Sequence, residues 1–267
     1  MNDFPTFEAI TGNASYASLK DRVAVVTGGG QGLGRSYAHF FAAHGAVPVI
    51  ADLDGDNAAR VAAEIADAGG RALGLGVDVA DETATLDMAA RVEDAFGRID
   101  ILINNAAVFS RITMAKFWEL PLAEWRQAMD VNVTGAFLCA RAVVPAMQQR
   151  RWGRIINVSS GTTCLGLPDY LHYITSKGAM TSMTRSMARE LGEWNVTVNT
   201  FWPGVTQTEI ERPSVPAHKF DDWAKMQCLG RKAGLDDMAK VVMFLCSDEA
   251  GWVTGQNLLA DGGLNFL

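Results

Sequence analysis

The chain has 267 residues, enough for one large α/β unit and short for two ordinary domains. Its 49% hydrophobic and 20% charged residues are the balance of a globular protein, and a net charge of −7 without a basic run argues against nucleic acid or an anionic membrane as partner. No apolar run approaches a bilayer span and the N-terminus lacks the basic-then-apolar order of a secretory signal, so a cytoplasmic location and no membrane contact are expected.

In chain order, residues 1–19 mix polar and apolar positions without period and read as an arm. From there strand-like and helix-like runs alternate. Strands are expected at 23–26, 47–51, 72–77, 101–104, 154–158, 196–201 and 257–260, each a short β-branched or apolar run. Between them, helical spacing of apolar residues predicts helices over 33–44, 55–68, 82–96, 122–149, 170–194 and 234–246. Such alternation implies a single-domain, doubly wound, Rossmann-like α/β fold over residues 20–267, with a mostly parallel seven-stranded sheet and helices on both faces. One excursion, 206–231, breaks the rhythm with Pro213, Pro216 and Gly230 and carries Phe220, Trp223 and Met226. An interruption of that length reads as a loop over a substrate site.

Two stretches carry chemistry. Thr27-Gly28-Gly29-Gly30-Gln31-Gly32-Leu33-Gly34 joins the first strand to the first helix, where backbone N–H groups and the helix dipole favour a phosphate. Its glycines do not fit G-x-G-x-x-G in any register, so it is a variant of the dinucleotide loop, or else a turn that only permits tight packing. Asp52 ends the second strand, eighteen residues past Gly34, where a carboxylate hydrogen-bonds ribose hydroxyls and repels a 2′-phosphate; NAD is therefore expected over NADP. Arg35 is the only nearby cation in the loop and is placed on the helix surface.

Farther on, Tyr173 and Lys177 stand one helical turn apart, so that phenol and ammonium share a face. A phenol titrates near ~10 and needs a cation to serve as an acid or base at neutral pH. The same spacing also occurs on solvated helices, and context decides. Cys139, Cys164, Cys228 and Cys246 are widely spaced and His39, His44, His172 and His218 form no ligand pattern, so reduced thiols and no metal are expected.

Taken in order, Thr27 to Gly34, Asp52, Asn104-Asn105-Ala106-Ala107, Asn132, Ser160, Tyr173-x-x-x-Lys177 and Pro203-Gly204 resemble the short-chain dehydrogenase/reductase family over the chain from about Leu19 to the end. That resemblance implies that Gly28, Gln31, Gly32, Leu33 and Gly34 wrap a pyrophosphate, that Asp52 and Leu53 flank the adenine ribose, and that Asp78 and Val79 border the adenine. It places Asn105, Ala106 and Ala107 against the cofactor, with Ala107 standing where the family more often has Gly, and Pro203, Gly204, Val205 and Thr208 along the nicotinamide. It also implies that Tyr173 moves the hydroxyl proton, that Ser160 rather than Ser159 steadies the substrate oxygen, because the family spacing is thirteen residues before the tyrosine, and that Lys177 holds the nicotinamide ribose and lowers the phenol pKa. Asn132 resembles the family residue that positions a water leading from Lys177 to solvent, and a homotetramer, or a homodimer, is implied, with the two long helices at one interface and residues 264–267 near another.

By position, Val108, Phe109, Thr162, Cys164, Tyr170, Trp202 and Trp223 are candidates to face the substrate, with Phe220 and Met226 above. Such a wall suits an apolar aryl or alicyclic secondary alcohol or ketone, although the same side chains would also serve as core. A 3-oxoacyl or sugar-type reductase of the same family is the alternative reaction, and a catalytically silent dinucleotide sensor the alternative class.

Overall fold

The computed structural model describes residues 16–109, 112–210 and 218–266. Strands β1 (Val23–Thr27), β2 (Val47–Asp52), β3 (Leu73–Gly76), β4 (Ile101–Asn104), β5 (Gly153–Val158), β6 (Val196–Pro203) and β7 (Asn257–Ala260) form one sheet in the order β3-β2-β1-β4-β5-β6-β7. Every ladder is parallel, so the sheet is wholly rather than mostly parallel. A parallel sheet needs cover on both faces. Here β1 shows how five consecutive apolar or small residues meet that need: Val23 and Val25 enter one core layer, Ala24 and Val26 the other.

The helices are α1 (Gly32–Ala43), α2 (Gly55–Asp67), α3 (Glu82–Phe96), α4 (Leu122–Met129), α5 (Gly135–Arg150), α6 (Thr162–Leu165), α7 (Leu171–Leu191), α8 (His218–Met226) and α9 (Leu235–Cys246). On one face, Met88 and Val92 of α3, Val143 and Met147 of α5 and Leu191 of α7 pack on the strands. On the other, Tyr37, Phe40 and Phe41 of α1 meet Val242 and Met243 of α9. Each such side chain, fully buried, contributes about 1.5–3 kcal/mol. Leu19, at the end of the segment read as an arm, is fully buried in this second layer; residues 1–15 of that arm lie outside the described residues.

Side chains of the N-cap residues start α2 and α3. Asp54 accepts from the N–H groups of Asp56 and Asn57 at α2, and Asp81 from that of Ala84 at α3. At α1 the N-cap residue is Gln31, whose side chain makes no cap bond, so the N-terminal donors there are left to something other than a local cap. Strand order reverses between β1 and β4, and the loops after these two strands flank the crevice at their carboxyl ends. This is where an open parallel sheet receives ligands.

Sequence and structure part company at three places. The helix expected over 122–149 is broken by a π-helical turn, Asp130–Thr134, between α4 and α5. One extra residue in that turn rotates Asn132 inward, where it is 2% exposed. The excursion at 206–231 contains a helix, α8, because Phe220, Trp223 and Met226 recur at helical spacing; residues 211–217, with Pro213 and Pro216, lie outside the described residues. A short α6 follows β5, between the strand expected to end at 158 and the helix expected from 170. Among the described residues no helix is long and apolar enough to cross a membrane.

Candidate active site

The glycine loop is pinned from the side by the end of β4. The Thr27 hydroxyl donates to the Ile103 carbonyl at 3.2 Å and accepts from the N–H groups of Asn105 and Ala106 at 3.0 and 3.1 Å. Asn105 Nδ2 in turn donates to the carbonyls of Thr27 and Gly28 at 2.9 and 3.0 Å. Asn105, expected against a cofactor, thus holds the loop in place. Gly28 and Gly32 adopt φ of +62° and +58°, which favours glycine. A Cβ on Gly34 would lie 2.2 Å from the Gly28 carbonyl oxygen and 2.7 Å from Asn105 Nδ2. Neither atom is free to retreat, since they bond each other. Gly34→Ala is therefore expected to cost at least the ~1–3 kcal/mol typical of overpacking, seen as a lowered urea midpoint with an unchanged slope; a midpoint equal to the parent's would show that the loop yields.

Asp52 faces this loop. Its Oδ2 accepts from Gly30 N–H at 2.8 Å and its Oδ1 from Asp54 N–H at 3.0 Å. Leu53 beside it is 76% exposed, and Asp78 is exposed at the end of β3. Val79 is mostly core, packed where Gly135 leaves room for it. Leu33 likewise packs its side chain on the second core layer while only its backbone belongs to the loop. Gln31 and Ala107 are exposed. The anion-binding end of α1 is met by a carboxylate from the far side of the crevice: Glu209 Oε1 accepts from Gly32 N–H at 2.9 Å and lies 3.8 Å from Arg35 Nη1. Arg35, expected on the helix surface, is instead wedged between Glu209 and Glu64, its side chain 14% exposed. A second cation was missed altogether: Arg60 of α2 donates to the Gly30 carbonyl at 2.7 Å.

At the carboxyl ends of β5 and β6 the remaining candidates converge. Lys177, 3% exposed, donates from Nζ to the Val158 carbonyl at 2.7 Å and stands 6.0 Å from the centre of the Tyr173 ring. Burial pushes the pKa of its ammonium down to about 8. Tyr173, 5% exposed, stacks on Phe109 with ring centres 4.5 Å apart. The two serines separate by task. Ser159 Oγ donates to the Lys177 carbonyl at 2.7 Å, whereas Ser160 Oγ lies 2.8 Å from Thr162 Oγ1 and accepts from Thr162 N–H. Thr162, placed on the substrate wall by sequence, is thus a partner of Ser160. Asn132 bridges two elements: its Nδ2 donates to Ser176 Oγ at 2.9 Å and its Oδ1 accepts from Val108 N–H at 2.8 Å. The π turn delivers this bridge, which fixes the loop following β4 against α7.

Of the other candidates, Pro203 ends β6 and Gly204 and Val205 follow it, with Gly204 so close to Asp261 that a Cβ would lie 2.5 Å from the Asp261 Cα. Thr208 Oγ1 accepts from Ile210 N–H. Trp202 is buried, Tyr170 is the half-buried N-cap of α7, and Cys164 is exposed. Trp223 packs edge-to-face on Phe220, while Met226 is 68% exposed.

A family model described as enoyl-(acyl carrier protein) reductase, of the short-chain dehydrogenase/reductase type, matches residues 28–265. The chain belongs to the short-chain dehydrogenase/reductase family. It is 36% identical over 245 residues, 92% of this chain and 97% of the relative, to the (2S)-[(R)-hydroxy(phenyl)methyl]succinyl-CoA dehydrogenase subunit BbsD of Thauera aromatica. A trans-4-hydroxycyclohexanecarboxylate dehydrogenase of Sinomonas cyclohexanicum is 36% identical over 252 residues, 92% of this chain and 93% of the relative. The crystal structure of a putative short-chain alcohol dehydrogenase from Sinorhizobium meliloti 1021 superposes with a TM-score of 0.87 at 31% identity, covering 93% of this chain and 98% of that one. The protein is therefore an oxidoreductase of a family that uses nicotinamide cofactors. Arg60, Glu64 and Glu209 did not stand out in the sequence. Arg60 and Glu64 carried a visible signal, opposite charges four residues apart on a helix; Glu209 carried none.

Proposed function

We propose that this protein is an NAD-preferring oxidoreductase that interconverts a secondary alcohol and its ketone, with an apolar aryl or alicyclic group on the carbinol. The observation that carries this reading is the convergence of Tyr173, Lys177 and Ser160 at the strand ends beside the glycine loop. The residues fit a dinucleotide: a helix N-terminus without a local side-chain cap, a cradle at Gly34 that any Cβ would fill, and a carboxylate from another loop already drawn to Gly32 N–H. Gly28, Gln31, Gly32, Leu33 and Gly34 would hold its phosphates, Asp52 its adenine ribose, Lys177 the second ribose, and Pro203, Gly204, Val205 and Thr208 the ring end. When bound, the nicotinamide supplies hydride chemistry.

The chain's own residues do the rest. Tyr173 Oη takes the proton of the alcohol, or returns it to the ketone oxygen, and the nearby ammonium of Lys177 stabilises the phenolate form. Ser160 Oγ donates to the same substrate oxygen, its rotor already oriented by Thr162. Asn132 acts through the backbone of Val108 and through Ser176, keeping the wall of the site and α7 in register. Phe109 lies over the phenol and, with Trp223 and Phe220, supports the apolar substrate class. So do the phenyl and cyclohexane groups in the names of the two relatives. Exposed Phe117 and Trp118 before α4 and Leu122 at its start support self-association into the expected homotetramer or homodimer, which light scattering would test.

Turnover is tested on a panel of aryl, alicyclic, hydroxyacyl-thioester and sugar alcohols, each with NAD and NADP, followed by absorbance of the reduced cofactor. Activity with NAD on aryl or alicyclic members is expected; activity confined to hydroxyacyl or sugar members would replace the substrate class, and silence throughout despite NADH binding would favour a sensor. A separate consequence concerns Glu209, whose carboxylate competes with a cofactor phosphate for Gly32 N–H. A charge at a helix N-terminus is worth about 0.3–1 kcal/mol, so Glu209→Gln is expected to tighten NADH binding by roughly two- to fivefold in a fluorescence titration. Weaker binding would mean that Glu209 assists the cofactor instead.

A further inference from the structure

Glu64 lies on α2, and three side chains close on its carboxylate. Arg35 Nε reaches Oε2 at 2.8 Å, His39 Nε2 the same oxygen at 3.0 Å, and Arg60 Nη1 reaches Oε1 at 2.5 Å. Burial pushes the Glu64 carboxyl up, and the bonds from Arg35, His39 and Arg60 more than reverse this, leaving it below the usual range; burial also keeps His39 low, so its ring is neutral near pH 7. The Glu64 carboxylate therefore faces two guanidinium groups, one of which, Arg35, also lies 3.8 Å from Glu209. The second nitrogen of Arg60 is committed to the loop, Nη2 donating to the Gly30 carbonyl at 2.7 Å and to Asn57 Oδ1 at 3.2 Å.

Gly30 is also the residue whose N–H meets Asp52 at 2.8 Å. One loop residue thus has the carboxylate that selects a ribose on its donor and a guanidinium on its acceptor. A guanidinium recognises a phosphate through two parallel N–H groups, and that fork is the usual means of accepting a 2′-phosphate. Arg60 has the charge and the position for it, but its two terminal nitrogens are divided between Glu64 and Gly30.

We propose that Glu64 is a specificity-determining residue for the cofactor: by tying Arg60 to α2 it withholds from the 2′ position of the adenine ribose a cation that would otherwise accept NADP, so that Asp52 alone decides there. This rests on the NAD-preferring reading and deepens it. Glu64 touches neither cofactor nor substrate; it positions Arg60.

The test compares kcat/KM for NADP with that for NAD in the full-length enzyme and in Asp52→Ala, Asp52→Ala/Glu64→Gln and Asp52→Ala/Glu64→Gln/Arg60→Ala. The parent must favour NAD; a parent that favours NADP overturns the cofactor reading itself and is seen before any variant is compared. With Asp52 removed, adding Glu64→Gln is expected to raise the NADP-to-NAD ratio by about tenfold, the scale of one released charge-assisted contact, and Arg60→Ala is expected to cancel the rise. Arg60→Ala in Asp52→Ala with Glu64 intact is expected to change the ratio little, which makes the coupling a double-mutant cycle. Glu64→Ala repeats the test with the acceptor deleted outright, so that one poorly folding protein does not decide it. A ratio that is the same with and without the Glu64 carboxylate, or a rise that survives Arg60→Ala, overturns the proposal.

Discussion

Tyr173→Phe is expected to lower kcat by about 10³-fold while leaving NADH affinity unchanged. The scale is that of general acid–base catalysis by one positioned group, which contributes roughly 10²–10⁴-fold. The substitution is a clean one here because the ring remains. Tyr173 is buried and stacks on Phe109 at 4.5 Å, so phenylalanine keeps both the packing and the aromatic contact and removes only the hydroxyl. A loss in kcat without a loss of fold or NADH binding is then attributable to the proton. Steady-state kinetics with an accepted alcohol, beside a fluorescence titration of NADH, separates the two quantities. Activity within tenfold of the parent would remove Tyr173 from the proton path.

Lys177→Met is expected to do two opposite things: abolish turnover, by about 10³-fold or more, and raise thermal stability at pH 7. The first follows from the loss of the cation 6.0 Å from the Tyr173 ring, which no longer stabilises the phenolate form. The second follows from burial. Lys177 is 3% exposed with its Nζ held by one carbonyl, and its pKa falls from 10.5 to about 8. A base whose pKa is lowered on folding binds fewer protons folded than unfolded between those two values. Stability therefore rises with pH from about 8 to 10.5, and the whole penalty is present below pH 8. Methionine has no charge to bury, and the lost bond to Val158 offsets part of the gain, leaving a net of order 1–2 kcal/mol. For a chain of this length that is a Tm higher by a few degrees. The difference should shrink as the pH approaches 10.5. Melting curves at neutral and alkaline pH measure it, and a Tm lowered equally at both would mean that Lys177 is structural.

Much of this was legible in the order of residues because it depends on neighbours in the chain. The β-branched runs at 23–26 and 101–104 name their own strands, since no helix of four residues bounded by glycine or asparagine would bury them. Gly28 and Gly34 announce a tight strand-to-helix turn, and Asp52 announces itself by ending a strand. Tyr173 and Lys177 needed only a helical turn between them. The π turn at Asn132 was not legible: a single added residue in a long apolar helix leaves no break in composition, and what holds it is a pair of bonds to Val108 and Ser176 on other elements. α8 had its signal in Phe220, Trp223 and Met226, but prolines upstream suggested a loop.

Residue order alone dictates the alternation of strand and helix and the glycine-rich turn between β1 and α1, because backbone sterics and side-chain periodicity act over a few residues. Which charges meet depends on the assembled fold. Glu209 reaches Gly32 across 177 residues, Glu64 gathers Arg35, His39 and Arg60, and Asn105 grips the glycine loop from the next strand. These contacts follow from the strand order β3-β2-β1-β4-β5-β6-β7, which sets β4 beside β1 and brings the loop after β6 over the same crevice. That order is chosen by how the whole sheet buries its two faces, and no local run of residues carries it.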